Sequence, residues 1–139
     1  MRVFPPMTVM LVGIGATIGK VGLSTDESSC NQQINGIICG NRLDSLFSTY
    51  YMKTMRDFIV KCGKYTTLPI INQDETKNLI FTLPPLTEQQ AIAAFIDRET
   101  AKIDNLISKV ETAIEKLKEY RTALISAAVT GKIDVREDK

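Results

Sequence analysis

The residues between Thr87 and Gly131 contain neither proline nor glycine, and their apolar positions repeat in sevens. Ile96, Ile103, Val110, Leu117 and Leu124 form one series; Ile92, Glu99, Leu106, Ala113, Tyr120 and Ala127 form a second, offset by three residues. Two interleaved series of this kind are the a and d positions of a coiled-coil seam. Only Glu99 departs from apolar character. Pro84 and Pro85 are poor helix-interior residues, and each drives the residue before it toward extended backbone. Thr87 then predicts an N-cap, with Gln90 completing a Thr-x-x-Gln capping box and Glu88 favouring the positive end of the helix dipole. Gly131 suits the left-handed position just past a helix end. A helix over 88–129, at about 1.5 Å per residue, is roughly 60 Å long.

One helix cannot bury that seam alone, and the chain supplies no second long apolar helix. The sequence therefore calls for a partner from another chain, through a helix-pairing interface of Ile96, Ile103, Leu106, Val110, Leu117, Tyr120 and Leu124. Glu99 with Lys102, and Glu115 with Lys118, are opposite charges close enough to meet on the helix surface, whereas Glu111 and Glu115 are like charges four apart. A core helix of a compact domain is the competing reading, and the length and regularity of the pattern weigh against it.

Composition narrows the chemistry. The chain has 139 residues, 17 Lys and Arg against 16 Asp and Glu, and no histidine. A net charge of +1 gives no global basic signature; nucleic-acid binding then requires local clustering. The lack of histidine removes His-based triads and His metal sites. Cys30, Cys39 and Cys62 are odd in number with no Cys-x-x-Cys spacing, which predicts reduced thiols in a cytoplasmic protein. The apolar run 7–12 is too short to span a membrane.

The first 86 residues read as mixed α and β. Residues 7–12 and 21–24 predict two short strands joined by a glycine-rich turn, and 34–39 a third. Asp26–Ser29 reads as a polar loop. Over Leu43–Val60 the apolar spacing changes to three and four, predicting one amphipathic helix with Asp44 at its start and Gly63 past its end. Asn72 or Asp74 starts a brief turn, and Leu79–Leu83 predicts a last strand before the prolines.

Two motifs fail on inspection. Gly13-Ile14-Gly15-Ala16-Thr17-Ile18-Gly19 places its third glycine one residue late for a dinucleotide fingerprint. Gly19-Lys20 lacks both the upstream glycine and the following Ser or Thr of a P-loop. A glycine-rich turn able to approach a phosphate or base closely is the reading that remains beside a plain tight turn. Asn31-Gln32-Gln33 carries amides with both donor and acceptor, the chemistry that reads adenine edges, although on the sequence alone polar loop filler is the stronger reading. Lys53, Arg56, Lys61 and Lys64, with Asp57 opposing, form a local basic cluster suited to phosphate contact or to a solvated face. No carboxylate pair is placed for acid–base work, and no metal or cofactor is expected.

Several runs together resemble the specificity subunit of type I restriction–modification enzymes. They are Leu83-Pro84-Pro85-Leu86-Thr87-Glu88-Gln89-Gln90, Phe95-Ile96-Asp97, Ile103-Asp104-Asn105-Leu106-Ile107 and Leu117 through Ile133. Gly15-Ala16-Thr17-Ile18-Gly19-Lys20 and Asn31-Gln32-Gln33 resemble turns of that family's target recognition domain. The resemblance implies an α+β protein: an incomplete target recognition region over 1–86, a long spacer helix over 87–131, and a tail over 132–139. It further implies a non-catalytic DNA-recognition subunit that contacts one half of a split double-stranded target. Such a subunit docks the methyltransferase (modification) subunit through its helix, and the restriction subunit joins the full complex. The family carries two recognition domains and two spacers; here there is one of each, and the recognition region is short, which reads as a C-terminal fragment, a truncated gene product or a half-subunit. A homodimer through the long helix would restore two. The candidate DNA contacts are Thr17, Lys20, Asn31, Gln32 and Gln33 for groove or phosphate, with Lys61 and Lys64 on the backbone. The alternative is a coiled-coil scaffold without independent DNA binding.

Overall fold

The computed structural model describes residues 3–62, 64, 65, 69–134 and 136. The chain divides into two compact units, Met1–Phe95 and Ile96–Lys139. The first unit is α+β. Its strands are β1 (Val3–Phe4), β2 (Thr8–Val12), β3 (Val21–Ser24), β4 (Ser28–Ser29), β5 (Ile34–Ile37), β6 (Lys64–Tyr65) and β7 (Pro69–Ile70). Its helices are α1 (Ser45–Thr54), α2 (Arg56–Cys62) and α3 (Gln73–Lys77), followed by the start of α4 (Leu86–Val129), which continues as the helix of the second unit.

β2 lies at the centre of the main sheet, in the order β3-β2-β5, antiparallel to both neighbours. Leu11 pairs with Val21 on one side and Asn35 on the other. The uncharged, β-branched run predicted for 7–12 earns this central place, because Val9 and Leu11 are fully buried. They form one core with Ile18, Met52, Ile59 and Ile71. β1 pairs with β4, and β6 with β7. Thr8, also fully buried, sends its hydroxyl to the Pro5 carbonyl at 2.7 Å. On β5, a side chain at Gly36 would meet the Phe4 ring at 2.5 Å, so only glycine lets that ring cover the strand.

Three local expectations are corrected. The helix predicted over 43–60 is two helices with a break at Met55. Asp44 caps α1 as expected, accepting from the Phe47 N–H at 2.8 Å. The Met55 N–H bonds back to Met52 rather than to residue 51, and the Thr54 hydroxyl takes the Tyr51 carbonyl at 2.7 Å. A tightened last turn and a side chain competing for a helix carbonyl end α1 without glycine or proline. Residues 79–83 form no strand. Leu79 and Phe81 pack on the core, Phe81 stacks on Tyr51 with centroids 4.8 Å apart, and Thr82 bonds the Tyr51 hydroxyl; side chains anchor this segment in place of a ladder. The supposed loop at 26–29 includes the short strand β4.

The start of α4 is also earlier than expected. Pro85 supplies the first helical acceptor, taking the Glu88 and Gln89 N–H groups at 2.9 and 3.0 Å. Thr87 therefore lies inside the helix and is not its cap. Gln89 is fully buried. Its Oε1 accepts from the Asp44 N–H at 2.8 Å, and its Nε2 donates to the Arg42 and Pro84 carbonyls at 3.0 and 2.8 Å. At the other end, Gly131 has φ 72°; its N–H bonds to Ala128 and that of Lys132 to Ala127. This is the paired closure of a Schellman stop.

The seam of α4 is bare. Ile103, Leu106, Val110, Leu117 and Tyr120 are each more than half exposed, and Leu124 is 44% exposed. Ile107 and Ile114, one position past d, are exposed beside them, so the stripe is wider than a two-stranded seam requires. Glu99 holds Lys102 at 3.0 Å and Arg98 at 3.1 Å, and Glu115 holds Lys118 at 2.7 Å. Among the described residues no helix is long and apolar enough to cross a membrane.

Candidate nucleic-acid interface

The turn between β2 and β3 is held by backbone bonds that leave its tip outward. Gly19 N–H reaches the Val12 carbonyl, Ile18 N–H the Gly15 carbonyl, and Lys20 N–H the Thr17 carbonyl. Gly19 has φ 78°, and a side chain there would stand 3.2 Å from Arg56 Cγ. Glycine is thus needed twice, for the backbone and for the approach of α2. Thr17 and Lys20 are exposed on this turn. Arg56, itself exposed, stands against it as the first residue of α2, and Lys61 is exposed in the last turn of the same helix. The side chain of Lys64 lies outside the described residues. Lys53 sits over the Tyr50 ring at 5.2 Å, which gives its charge a local partner.

The Asn31-Gln32-Gln33 turn precedes β5, and all three side chains are exposed. Asn31 Oδ1 accepts from the Gln33 N–H at 3.0 Å, so half of that amide shapes its own turn. The Gln33 carbonyl accepts from the Gly13 N–H at 2.8 Å. The structure therefore sorts the predicted residues. Thr17 and Lys20 share one turn beside α2, while Asn31 and Gln32 line a separate concavity that Thr17, Lys20, Gln33 and Lys61 do not line.

That concavity has a volume of about 1040 Å³ and runs along the whole of β5. Asn35, Ser48 and Ile71 are buried on its floor. The Ser48 hydroxyl has no hydrogen-bond partner among the described residues. Near α1, the Thr82 hydroxyl and N–H bonded to the Tyr51 oxygen hold that phenol below its usual pKa. Cys30 and Cys39 are free, half-buried thiols.

Over this geometry, residues 4–116 match the family described as the type I restriction modification DNA specificity domain. The chain belongs to that family. Its relatives include a chain assigned as the MjaX type I restriction enzyme specificity subunit of Methanocaldococcus jannaschii, 25% identical over 128 residues, which are 91% of this chain and 29% of that one. In the solved assembly of a type I R-M system, one chain superposes with a TM-score of 0.80 at 19% identity, over 92% of this chain and 32% of its own. The type I S subunit from M. genitalium gives a TM-score of 0.66 at 26% identity, over 88% and 33%. The chain thus spans about a third of the length of each of these type I proteins.

For a member of the specificity family, three features escaped the sequence reading. Gln89 was read only as a member of the 83–90 run; it is the buried tie between the 42–44 loop and α4. Asn35 sits in a strand with an apolar pattern, and its Nδ2 donates to the Ile71 carbonyl at 3.1 Å and the Thr76 hydroxyl at 2.9 Å. Arg56 belonged to a recognised basic cluster, but only folding brings it to the Gly19 turn.

Proposed function

We propose that this chain is a DNA-recognition part, half or fragment, of the specificity subunit of a type I restriction–modification system, acting in the cytoplasm and performing no chemistry itself. The first unit contacts one half-site of a split duplex target. Thr17 and Lys20 on the β2–β3 turn, with Asn31, Gln32 and Gln33, contact groove or phosphate; Lys61 and Lys64 contact the backbone. The long helix pairs with a second spacer helix, from another copy of this chain or another specificity chain. It also docks the methyltransferase subunit, and the restriction subunit joins that complex. The family match over 4–116 carries the reading. The bare stripe along α4 supports the assembly half of it, because Ile107 and Ile114 widen the stripe beyond what one partner helix covers.

The test is reconstitution with a modification subunit and duplexes bearing a split site with randomised bases. The expected result is a complex that enriches one half-sequence, or a symmetric pair of them, with affinity that falls steeply with salt. A complex that forms but binds all duplexes alike would overturn the recognition role and leave a scaffold.

A further inference from the structure

The mouth of the β5 concavity is formed by two segments far apart in the chain. Asn31 and Gln32 stand on the turn before β5; Asn72, Gln73 and Lys77 stand on and before α3, and all five are exposed. Two of the four amides are committed. Asn31 Oδ1 accepts from Gln33 N–H, and Asn72 Oδ1 accepts from Glu75 N–H at 2.9 Å as the cap of α3. Gln32 and Gln73 make no side-chain hydrogen bond among the described residues, so each keeps a full donor and acceptor.

The frame beneath them is tied at several points. Gly13 donates to the Gln33 carbonyl and accepts from the Ile71 N–H, both at 2.8 Å, so one residue of the central strand's end joins both segments. The buried Asn35 amide spans the same gap to Ile71 and Thr76, and the Thr76 hydroxyl closes on the Asn72 carbonyl at 2.8 Å. α3 carries Asp74 and Glu75 against Lys77; Lys77 lies 3.8 Å from Asp74, and Glu75 is tied into the cap by accepting from the Asn72 N–H at 2.8 Å.

We propose that Gln32 and Gln73 are a pair of base-reading side chains at this mouth, acting on adenine edges in the major groove of duplex DNA. Lys77 offsets the acidity of α3 so that the duplex can approach. A primary amide offers the donor and acceptor that adenine N7 and N6 require, and a tied frame lowers the cost of ordering them. The inference rests on the half-site reading above and adds residues of α3 to it.

The experiment uses the full chain with its modification subunit and a pool of duplexes randomised in one half-site. Gln73→Ala and Gln32→Ala each relax the selected sequence at one position or two adjacent positions, with roughly a tenfold loss of preference there and little change elsewhere. Gln73→Glu, which keeps size but loses the donor, behaves like Gln73→Ala or worse. Lys77→Ala weakens binding to every sequence alike. Both glutamines are exposed, and unchanged circular dichroism confirms folding of the variants. If wild type selects a sequence and both glutamine variants select the same one with the same affinity, the pair is overturned while half-site reading stands. If wild type selects nothing, the half-site reading fails first and this inference falls with it.

Discussion

The two units solve the problem of apolar surface in opposite ways. The first closes a core inside one chain: Val9, Leu11, Met52 and Ile59 are all fully buried between a three-stranded sheet and two helices. The second carries a comparable run of large apolar residues and buries none of the a and d positions from Ile103 to Leu124. The difference teaches where each unit's information points. The first unit's sequence closes a core of its own; the second's leaves its apolar stripe exposed along α4.

The sharpest way to break the contrast is a charge in the seam. Leu117→Glu is expected to abolish assembly through the helix, because pairing would bury an uncompensated carboxylate. The fold of the first unit should be untouched, as checked by light scattering on a sizing column alongside circular dichroism; assembly at the wild-type mass would show that the stripe is not the interface. The mirror experiment is Leu11→Ala, expected to destabilise the first unit by about 3 kcal/mol through lost burial and a cavity. Denaturant melts would show it.

A smaller effect falls at the tie between the 42–44 loop and the root of α4. Gln89→Ala strips partners from the Asp44 N–H and two carbonyls and should cost about 2 kcal/mol, since part-buried polar groups lose their bonds. An unchanged melting midpoint would mean that water replaces the amide without loss. Smaller again is Lys20→Ala, expected to weaken duplex binding a few-fold and to reduce its salt slope by about one counterion, as read by titration at several salt concentrations. The smallest is a titration on the second unit. Hydrogen bonds from Lys102 and then Arg98 hold the Glu99 carboxyl below the ordinary glutamate range. Because the folded pKa is the lower one, this stabilisation is present above the unfolded pKa and fades as pH falls through the folded one. Carbon-detected NMR should find Glu99 titrating low, and Lys102→Ala should return it toward the usual range.

Much of this was legible in the residues. The seven-residue repeat announced α4, its stop at Gly131 and its exposed seam, because a helix reports its faces through spacing alone. The β2–β3 hairpin followed from a β-branched run and glycines, and Asp44 was readable as a cap. What escaped depended on distance in three dimensions. Nothing near Met55 marks a helix break. Leu79–Leu83 has the composition of a strand but makes no ladder pairing, and its aromatic contact with Tyr51 lies thirty residues upstream in sequence. Gln89 and Asn35 escaped for the same reason: a buried amide is recognised by the carbonyls it meets, and spacing does not name them. Of the candidate interface, the two turns were visible locally; their separation, and the lining of one concavity by both Gln32 and Gln73, were not.

One feature of the sheet also bears on how the protein ages. Asn35 is followed by Gly36, a pair prone to lose ammonia when the glycine nitrogen attacks the side-chain carbonyl. In the folded chain both residues lie in β5, and the Asn35 nitrogen is held by Ile71 and Thr76, which slows the ring closure. Each unfolding lifts that restraint. Water then opens the cyclic imide to aspartate or isoaspartate; an aspartate there would face two oxygens where the amide nitrogen had donated, and an isoaspartate would lengthen the strand's backbone, so a chain that has once deamidated refolds poorly. The fraction of aspartate and isoaspartate together at position 35 in a stored sample is then a chemical clock of the time it has spent unfolded.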